Sequence, residues 1–246
     1  MRMLALDLGN SALKGGLVVD GRISGTFRIP HPPAEAESSL ETALRALPEP
    51  AEAAVLVSVV PKRNDALIGL VSDVLGIATV TVHAGSRWPF RIGYATPETL
   101  GLDRLAACAG AYTPGRALVV LDAGTALTLD VVTAGGVYLG GAIAPGPTLL
   151  MQSLTRGTAQ LPEVPLVVPA SPIGRSTAEC LQSGVMGLFI EGAHGLLHET
   201  LRALGEPAHV VATGGWATLL SDAIPEIEAV RPHLVLQGAA RVAQVA

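Results

Sequence analysis

Two short stretches of this chain end an apolar run on an aspartate, followed by one residue, a glycine and then residues that donate hydrogen bonds. The first is Asp7-Leu8-Gly9-Asn10-Ser11, and the second is Asp122-Ala123-Gly124-Thr125. Such a turn suits a phosphate tail. Glycine allows close approach of backbone N–H groups and accepts positive φ. Asn10, Ser11 and Thr125 can donate to phosphate oxygens, and Asp7 and Asp122 can hold a cation directly or through water. Lys14, one of only two lysines, follows the first turn. Neither stretch is a GxxxxGK[ST] P-loop or a strand-linked GxGxxG. Taken singly, an Asp-x-Gly after a strand is far more often an ordinary turn; its repetition in matching contexts in the two halves is what favours a site.

A third motif, Gly101-Leu102-Asp103-Arg104, opens a helical segment. Asp103 could accept a proton from an attacking hydroxyl, and Arg104 could hold an anionic group. As plain structure, Asp103 would be a helix-dipole partner and Arg104 a surface cation. Transfer of a phosphoryl group needs mostly positioning and charge neutralisation, so one carboxylate base suffices. Thr213-Gly214-Gly215 after a later strand could let an adenosine lie against backbone, or could simply start a helix. His194 and His198 stand four apart on a helix, but without HExxH they make a poor zinc site.

These residues need strands to carry them. Leu4–Leu6, Gly15–Val19, Ala53–Val60 and Ala78–Val82 read as strands, with a tight turn at Asp20-Gly21. Ala34–Leu47, Asn64–Leu75 and Leu100–Tyr112 read as helices, and Trp88–Pro97 as an irregular loop. After Pro114-Gly115 the pattern restarts, with strands over 118–121, 126–132 and 136–142. A long helix over 176–204 follows, with possible breaks at Gly184 or Gly187. The chain ends in a strand over 209–212, a short strand near Leu234 and a final helix. LALDLGNSAL in the first half thus repeats as VVLDAGTALT in the second, each followed by a hairpin. The repeat predicts two similar α/β domains, 1–114 and 115–246, facing a cleft.

Composition narrows the class. Of 246 residues, 49% are hydrophobic and 15% charged, enough for a substantial core, and the net charge is -5. No Lys/Arg cluster provides the cationic surface that nucleic acid requires, so no nucleic-acid partner is expected. Cys108 and Cys180 have neither metal-ligand nor disulfide-framework spacing. The N-terminus meets Asp7 before any signal-peptide apolar stretch, and no apolar run reaches membrane-spanning length. A soluble cytoplasmic protein with no membrane partner is the expectation.

The motifs together resemble the type III pantothenate kinases along nearly the whole chain. The resemblance is carried by Asp7-Leu8-Gly9-Asn10-Ser11, Ser58-Val59-Val60-Pro61, Tyr94 with Gly101-Leu102-Asp103-Arg104, and Asp122-Ala123-Gly124-Thr125-Ala126. It extends through Gly140–Gly146, Thr158–Pro162 and Thr213-Gly214-Gly215. It implies the actin/hexokinase/Hsp70-like fold, with two ribonuclease-H-like domains, and a homodimer. It implies ATP-dependent phosphorylation of pantothenate, magnesium with ATP, and a potassium or ammonium ion. By that resemblance Asp103 is the proton acceptor and Asp122 the potassium ligand. Asp7, Leu8, Gly9, Asn10, Ser11, Ala12, Leu13, Lys14 and Thr125 contact ATP. Tyr94, Gly101, Leu102, Asp103, Arg104 and Thr177 contact pantothenate near the dimer interface.

Three positions depart from the usual family pattern: Thr96 stands where Asn is common, Leu102 where Ala or Val is, and Gln237 where Asp is. Leu102 keeps the apolar character, whereas Gln237 removes a carboxylate. Two rival readings use the same scaffold: a regulatory relative of the transcription accessory type, and another small-molecule kinase. Intact Asp7, Asp103, Arg104 and Asp122 favour catalysis, and Tyr94 with Gly101–Arg104 favours pantothenate.

Overall fold

The structure is a computed structural model that describes residues 1–30 and 36–244. Its first elements are β1 (Arg2–Leu8), β2 (Ala12–Val19), β3 (Arg22–Pro30), α1 (Ala36–Arg45), β4 (Ala53–Ser58), α2 (Asn64–Leu75), β5 (Thr79–Thr81), β6 (Arg91–Ile92) and α3 (Leu102–Ala111). There follow β7 (Ala117–Ala123), β8 (Ala126–Val132), β9 (Val137–Pro145), α4 (Pro147–Gly157), α5 (Thr177–Leu204), β10 (Ala208–Thr213), α6 (Ala217–Ala223), β11 (Ala229–Val230) and α7 (Leu234–Ala243). Much of the expected loop at 30–33, and the expected helix start at Ala34, lie outside the described residues.

The chain divides into two units. Unit 1 is Met1–Gly115 with Gly135–Tyr138 and His233–Ala246, and unit 2 is Arg116–Ala134 with Leu139–Pro232. The C-terminal helix therefore groups with the first unit, where a single division at 114/115 would assign it to the second.

Unit 1 is built on a five-stranded sheet of order β3-β2-β1-β4-β5. Strand β1 runs antiparallel to β2 and parallel to β4. The β2–β3 hairpin turns on Asp20 and Gly21, with φ of 48° and 76°, the positive values that a two-residue turn between twisted strands demands. Period-two alternation sorts the side chains of β1. Leu4, Leu6 and Leu8 enter a buried cluster with Leu40 and Leu44 of α1 and Leu67 and Val71 of α2. Ala5 and Asp7 take the opposite face, which α3 and α7 cover. Gln237 of α7 donates from Nε2 to the carbonyl of Gly21 at 2.9 Å. An ionised aspartate, which only accepts, could not make that bond.

In unit 2 the strands run in the order β11-β10-β7-β8-β9. Val119, Leu121, Ala123, Leu127, Leu129 and Val131 pack against Phe189, Ala193 and Leu197 of α5 and Ala217 and Leu220 of α6. α5 is continuous over 28 residues, so neither Gly184 nor Gly187 breaks it. Leu181, Val185, Phe189, Ala193 and Leu197 recur every fourth residue as its buried stripe. Tertiary burial of that stripe overrides the weak helical propensity of glycine.

Two sequence expectations are corrected and one unassigned segment is filled. The region of Leu234 opens α7, and the short strand lies earlier, at Ala229–Val230. A run of three or four aliphatic residues does not by itself separate strand from helix. Helix α4 begins at Pro147, directly after Gly146, in a segment to which the sequence pattern assigns no element. Finally, Arg91 and Ile92 of the expected irregular loop pair with Val137 and Tyr138 of β9.

Candidate active site

The unit 1 site grows from the end of β1. Asp7 and Lys14 are direct cross-strand partners, so their side chains share one face, with Lys14 Nζ 3.5 Å from Asp7 Oδ2. The connecting turn is closed by Gly9 N–H donating to Ala12 O at 3.1 Å, which leaves Asn10 and Ser11 exposed at its tip. The side chains of Leu8, Ala12 and Leu13 are buried, so these residues offer a ligand only their backbone. β4 ends alongside, where Ser58 Oγ accepts from Val60 N–H at 3.0 Å and Val59 N–H donates to Leu8 O at 3.1 Å.

Asp7 is only 5% exposed. Burial pushes its carboxyl up to about 6; Lys14 pulls it down, and the negative charge of Asp103 pushes it up. The charge of Asp103 is therefore felt at Asp7 within unit 1. Asp103 stands in the first turn of α3, where its Oδ1 accepts from Arg104 N–H at 2.9 Å. A β-carbon at Gly101 would lie 2.5 Å from that same Oδ1, so glycine here leaves the carboxylate its room. Arg104 is buried. Tyr94 is half-buried and packs on Tyr138, ring centroids 6.2 Å apart. Thr96 bonds to Thr99 through its hydroxyl at 2.9 Å and so closes the 3₁₀ turn Pro97–Thr99.

The unit 2 site grows from the end of β7. Asp122 faces Thr128 across the antiparallel β8 and Thr213 across the parallel β10. Gly124 N–H donates to Ala126 O at 3.0 Å, which makes this turn one residue shorter than its counterpart at Gly9. Gly146 N–H donates to Thr125 O at 3.0 Å, and a β-carbon there would stand 2.4 Å from Gly124 O. Gly214 has φ +92°, and a β-carbon there would lie 2.5 Å from Asp122 Oδ1 and 2.6 Å from Ala123 O. A carboxylate oxygen and a carbonyl oxygen thus converge over one glycine. The Ala123 carbonyl also accepts from Trp216 N–H at 3.0 Å, so the glycine lets the start of α6 pack directly on the Asp122 turn. Thr177 is the first residue of α5, exposed, behind the cap in which Ser176 Oγ accepts from Glu179 N–H at 3.2 Å.

The structure thus places Asp7–Lys14, Tyr94 and Gly101–Arg104 in unit 1, and Asp122, Thr125 and Thr177 in unit 2. Sequence reasoning missed the packing of Gly214 on Asp122 and of Gly146 on the Thr125 turn. A glycine just after a strand is the signal available for the first. Among the described residues, no group of three His, Cys, Asp or Glu side chains could hold a metal ion. His194 Nε2 instead lies 3.6 Å from Glu226 Oε1. No helix among the described residues is long and apolar enough to cross a membrane.

The fold has solved counterparts. A ROK family glucokinase from Streptomyces griseus, with glucose and AMPPNP, superposes with a TM-score of 0.59 at 15% identity, all of each chain covered. A protein described as a Baf family transcriptional activator from Campylobacter jejuni does so with a TM-score of 0.61 at 20% identity, 98% of each chain covered. The fold is that of the actin/hexokinase/Hsp70-like proteins.

The sequence narrows this further, because a family model described as type III pantothenate kinase matches residues 3–199. A type III pantothenate kinase of Symbiobacterium thermophilum is 36% identical, with 96% of this chain and 94% of the relative covered. That of Moorella thermoacetica is 32% identical, with 96% of each covered. The chain belongs to the type III pantothenate kinase family.

Proposed function

We propose that this chain phosphorylates the primary hydroxyl of pantothenate with ATP, giving 4'-phosphopantothenate, the first step toward coenzyme A. The observation that carries the assignment within the site is that unit 1 holds both the Asp7–Lys14 pair at its glycine turn and the Asp103 carboxylate at the start of α3, with Gly101 leaving that carboxylate its room. Asp103 takes the proton of the attacking hydroxyl as its oxygen bonds to the γ-phosphorus. The bond from that phosphorus to the bridging oxygen breaks, and ADP leaves. The backbone and hydroxyls of Gly9–Ser11, with Lys14 and Thr125, hold the phosphates. Tyr94, Gly101, Leu102, Arg104 and Thr177 hold pantothenate. Arg104, always charged, suits its carboxylate.

A divalent ion accompanying ATP neutralises phosphate charge. Asp7 is the carboxylate of this chain that would sit toward it. Asp122 is assigned a potassium or ammonium ion; a carboxylate at the strand end is the hard oxygen ligand that such an ion takes. We further propose a homodimer in the cytoplasm. A monomer mass by light scattering at micromolar protein would count against the dimer.

The deciding experiment is a coupled ADP-release assay over several hydroxyl acceptors with potassium and magnesium present. Turnover specific to pantothenate is expected. Its absence would overturn the kinase reading and leave the regulatory one, and turnover with a sugar alone would indicate a different kinase.

A further inference from the structure

Helix α7 lies beyond the residues matched to the family, yet it packs closely against the helix that carries Asp103. A β-carbon at Gly238 would stand 1.8 Å from Ala106 O, and one at Gly110 would stand 2.5 Å from Leu234 O. The two helices therefore touch backbone to backbone. One turn further on, Arg241 Nη1 donates to Ala109 O at 2.8 Å and to Tyr112 O at 2.7 Å. These carbonyls belong to the C-terminal end of α3, where a cation also meets the negative end of the helix dipole.

We infer that Arg241 is a positioning residue for the reaction: by clamping the end of α3 and Tyr112, it sets the place of Asp103 at one end and of Tyr94 at the other. The inference rests on the proposed function for the roles of those two residues. The path to Asp103 is the helix itself. Ala109 to Asp103 is about 9 Å of rigid helix at 1.5 Å per residue. A tilt of about 6° would move Asp103 by about 1 Å, a displacement that can cost about 100-fold in rate.

The path to Tyr94 is aromatic. The Tyr112 ring meets Phe90 edge-on at 5.6 Å, Phe90 stacks on Tyr138 at 6.1 Å, and Tyr138 packs on Tyr94 at 6.2 Å. Phe90 and Tyr138 are buried, so displacement of Tyr112 is taken up by its neighbours. The Asp7 turn stands on β1 and β2, whose pairing the Arg241 bonds do not involve.

Arg241→Met removes both bonds at similar length, and Arg241→Lys keeps a charge that reaches one carbonyl. With both proteins assayed well below their unfolding temperatures, Arg241→Met should lower kcat by about 10-fold and raise the KM for pantothenate by about 10-fold. The KM for ATP should stay within about twofold, and Arg241→Lys should recover most of the loss. Wild-type kcat and pantothenate KM in Arg241→Met would overturn the inference, as would an equal loss for ATP and pantothenate.

A readout without turnover is amide hydrogen exchange along α3. Exchange over Leu105–Tyr112 should be faster in Arg241→Met than in the wild type by about 10-fold, with Arg241→Lys close to the wild type and β7 of unit 2 unchanged; unchanged exchange in α3 counts against the clamp. If the wild type itself fails to phosphorylate pantothenate, the functional reading falls, and this exchange still decides whether Arg241 holds α3.

Discussion

Asp7 and Lys14 occupy one register position of the β1/β2 pair, and the equivalent position of β7/β8 joins Asp122 to Thr128. The repeat therefore delivers an aspartate to the end of each leading strand but gives the two different partners. A cation 3.5 Å away offsets the charge of Asp7, whereas the cross-strand neighbour of Asp122 is a neutral hydroxyl residue. That difference accords with a phosphate turn at the first aspartate and a cation site at the second.

Asp7 stores a pH dependence. Its native carboxyl titrates near 6, against 3.8 in the unfolded chain. Between these values the native state holds a proton that the unfolded chain has released, so stability falls as pH rises from about 4 to about 6. Asp7→Asn removes the buried charge. By the size of the shift it should be more stable than the wild type at pH 8 by on the order of 3 kcal/mol, with the difference gone below pH 4. Urea unfolding at both pH values checks this, and equal stability at pH 8 would contradict it. The same variant should lose nucleotide affinity.

Asp103→Asn keeps the size of the side chain and removes the proposed base. kcat for pantothenate should fall by about 10²–10⁴, with little change in either KM. Turnover near that of the wild type would show that Asp103 is not the proton acceptor.

Gly101→Ala tests the room left for that base. The added methyl would lie 2.5 Å from Asp103 Oδ1, so the carboxylate must turn away. kcat should drop by about 10-fold or more, while thermal stability changes by under about 1 kcal/mol on this partly exposed helix start. A variant with normal kcat would mean that the carboxylate has a second productive position.

Gly214→Ala and Asp122→Asn form a pair. Gly214→Ala meets both a disfavoured φ and the Asp122 carboxylate, so it should destabilise the fold by about 2 kcal/mol or more. In titrations of activity with KCl, Asp122→Asn should lose stimulation by potassium over sodium. Gly214→Ala, assayed where it is folded, should need more potassium. Full stimulation in Asp122→Asn would remove Asp122 from the cation site.

Much of this is legible in residue order alone, for identifiable reasons. Asp7-Leu8-Gly9 and Asp122-Ala123-Gly124 declare strand ends because local chain chemistry suffices: an apolar run, a polar stop and a permissive glycine. The Asp20-Gly21 hairpin and the 64–75 helix follow from the same short-range rules and stand as expected. The strand repeat and the family resemblance are likewise properties of residue order.

What depends on tertiary structure is what depends on residues distant in the chain. Gly214 lies against Asp122, and Arg241 reaches Ala109, across separations of 92 and 132 positions that no local pattern encodes. α5 holds through its glycines because its buried stripe finds a core in unit 2. Leu234 sits in a helix because that helix has α3 to pack against. The sequence by itself located the candidate groups: two aspartate turns and one helix-start carboxylate. Only the folded chain decided which groups modify one another, because burial, register and charge separation are properties of three-dimensional neighbours.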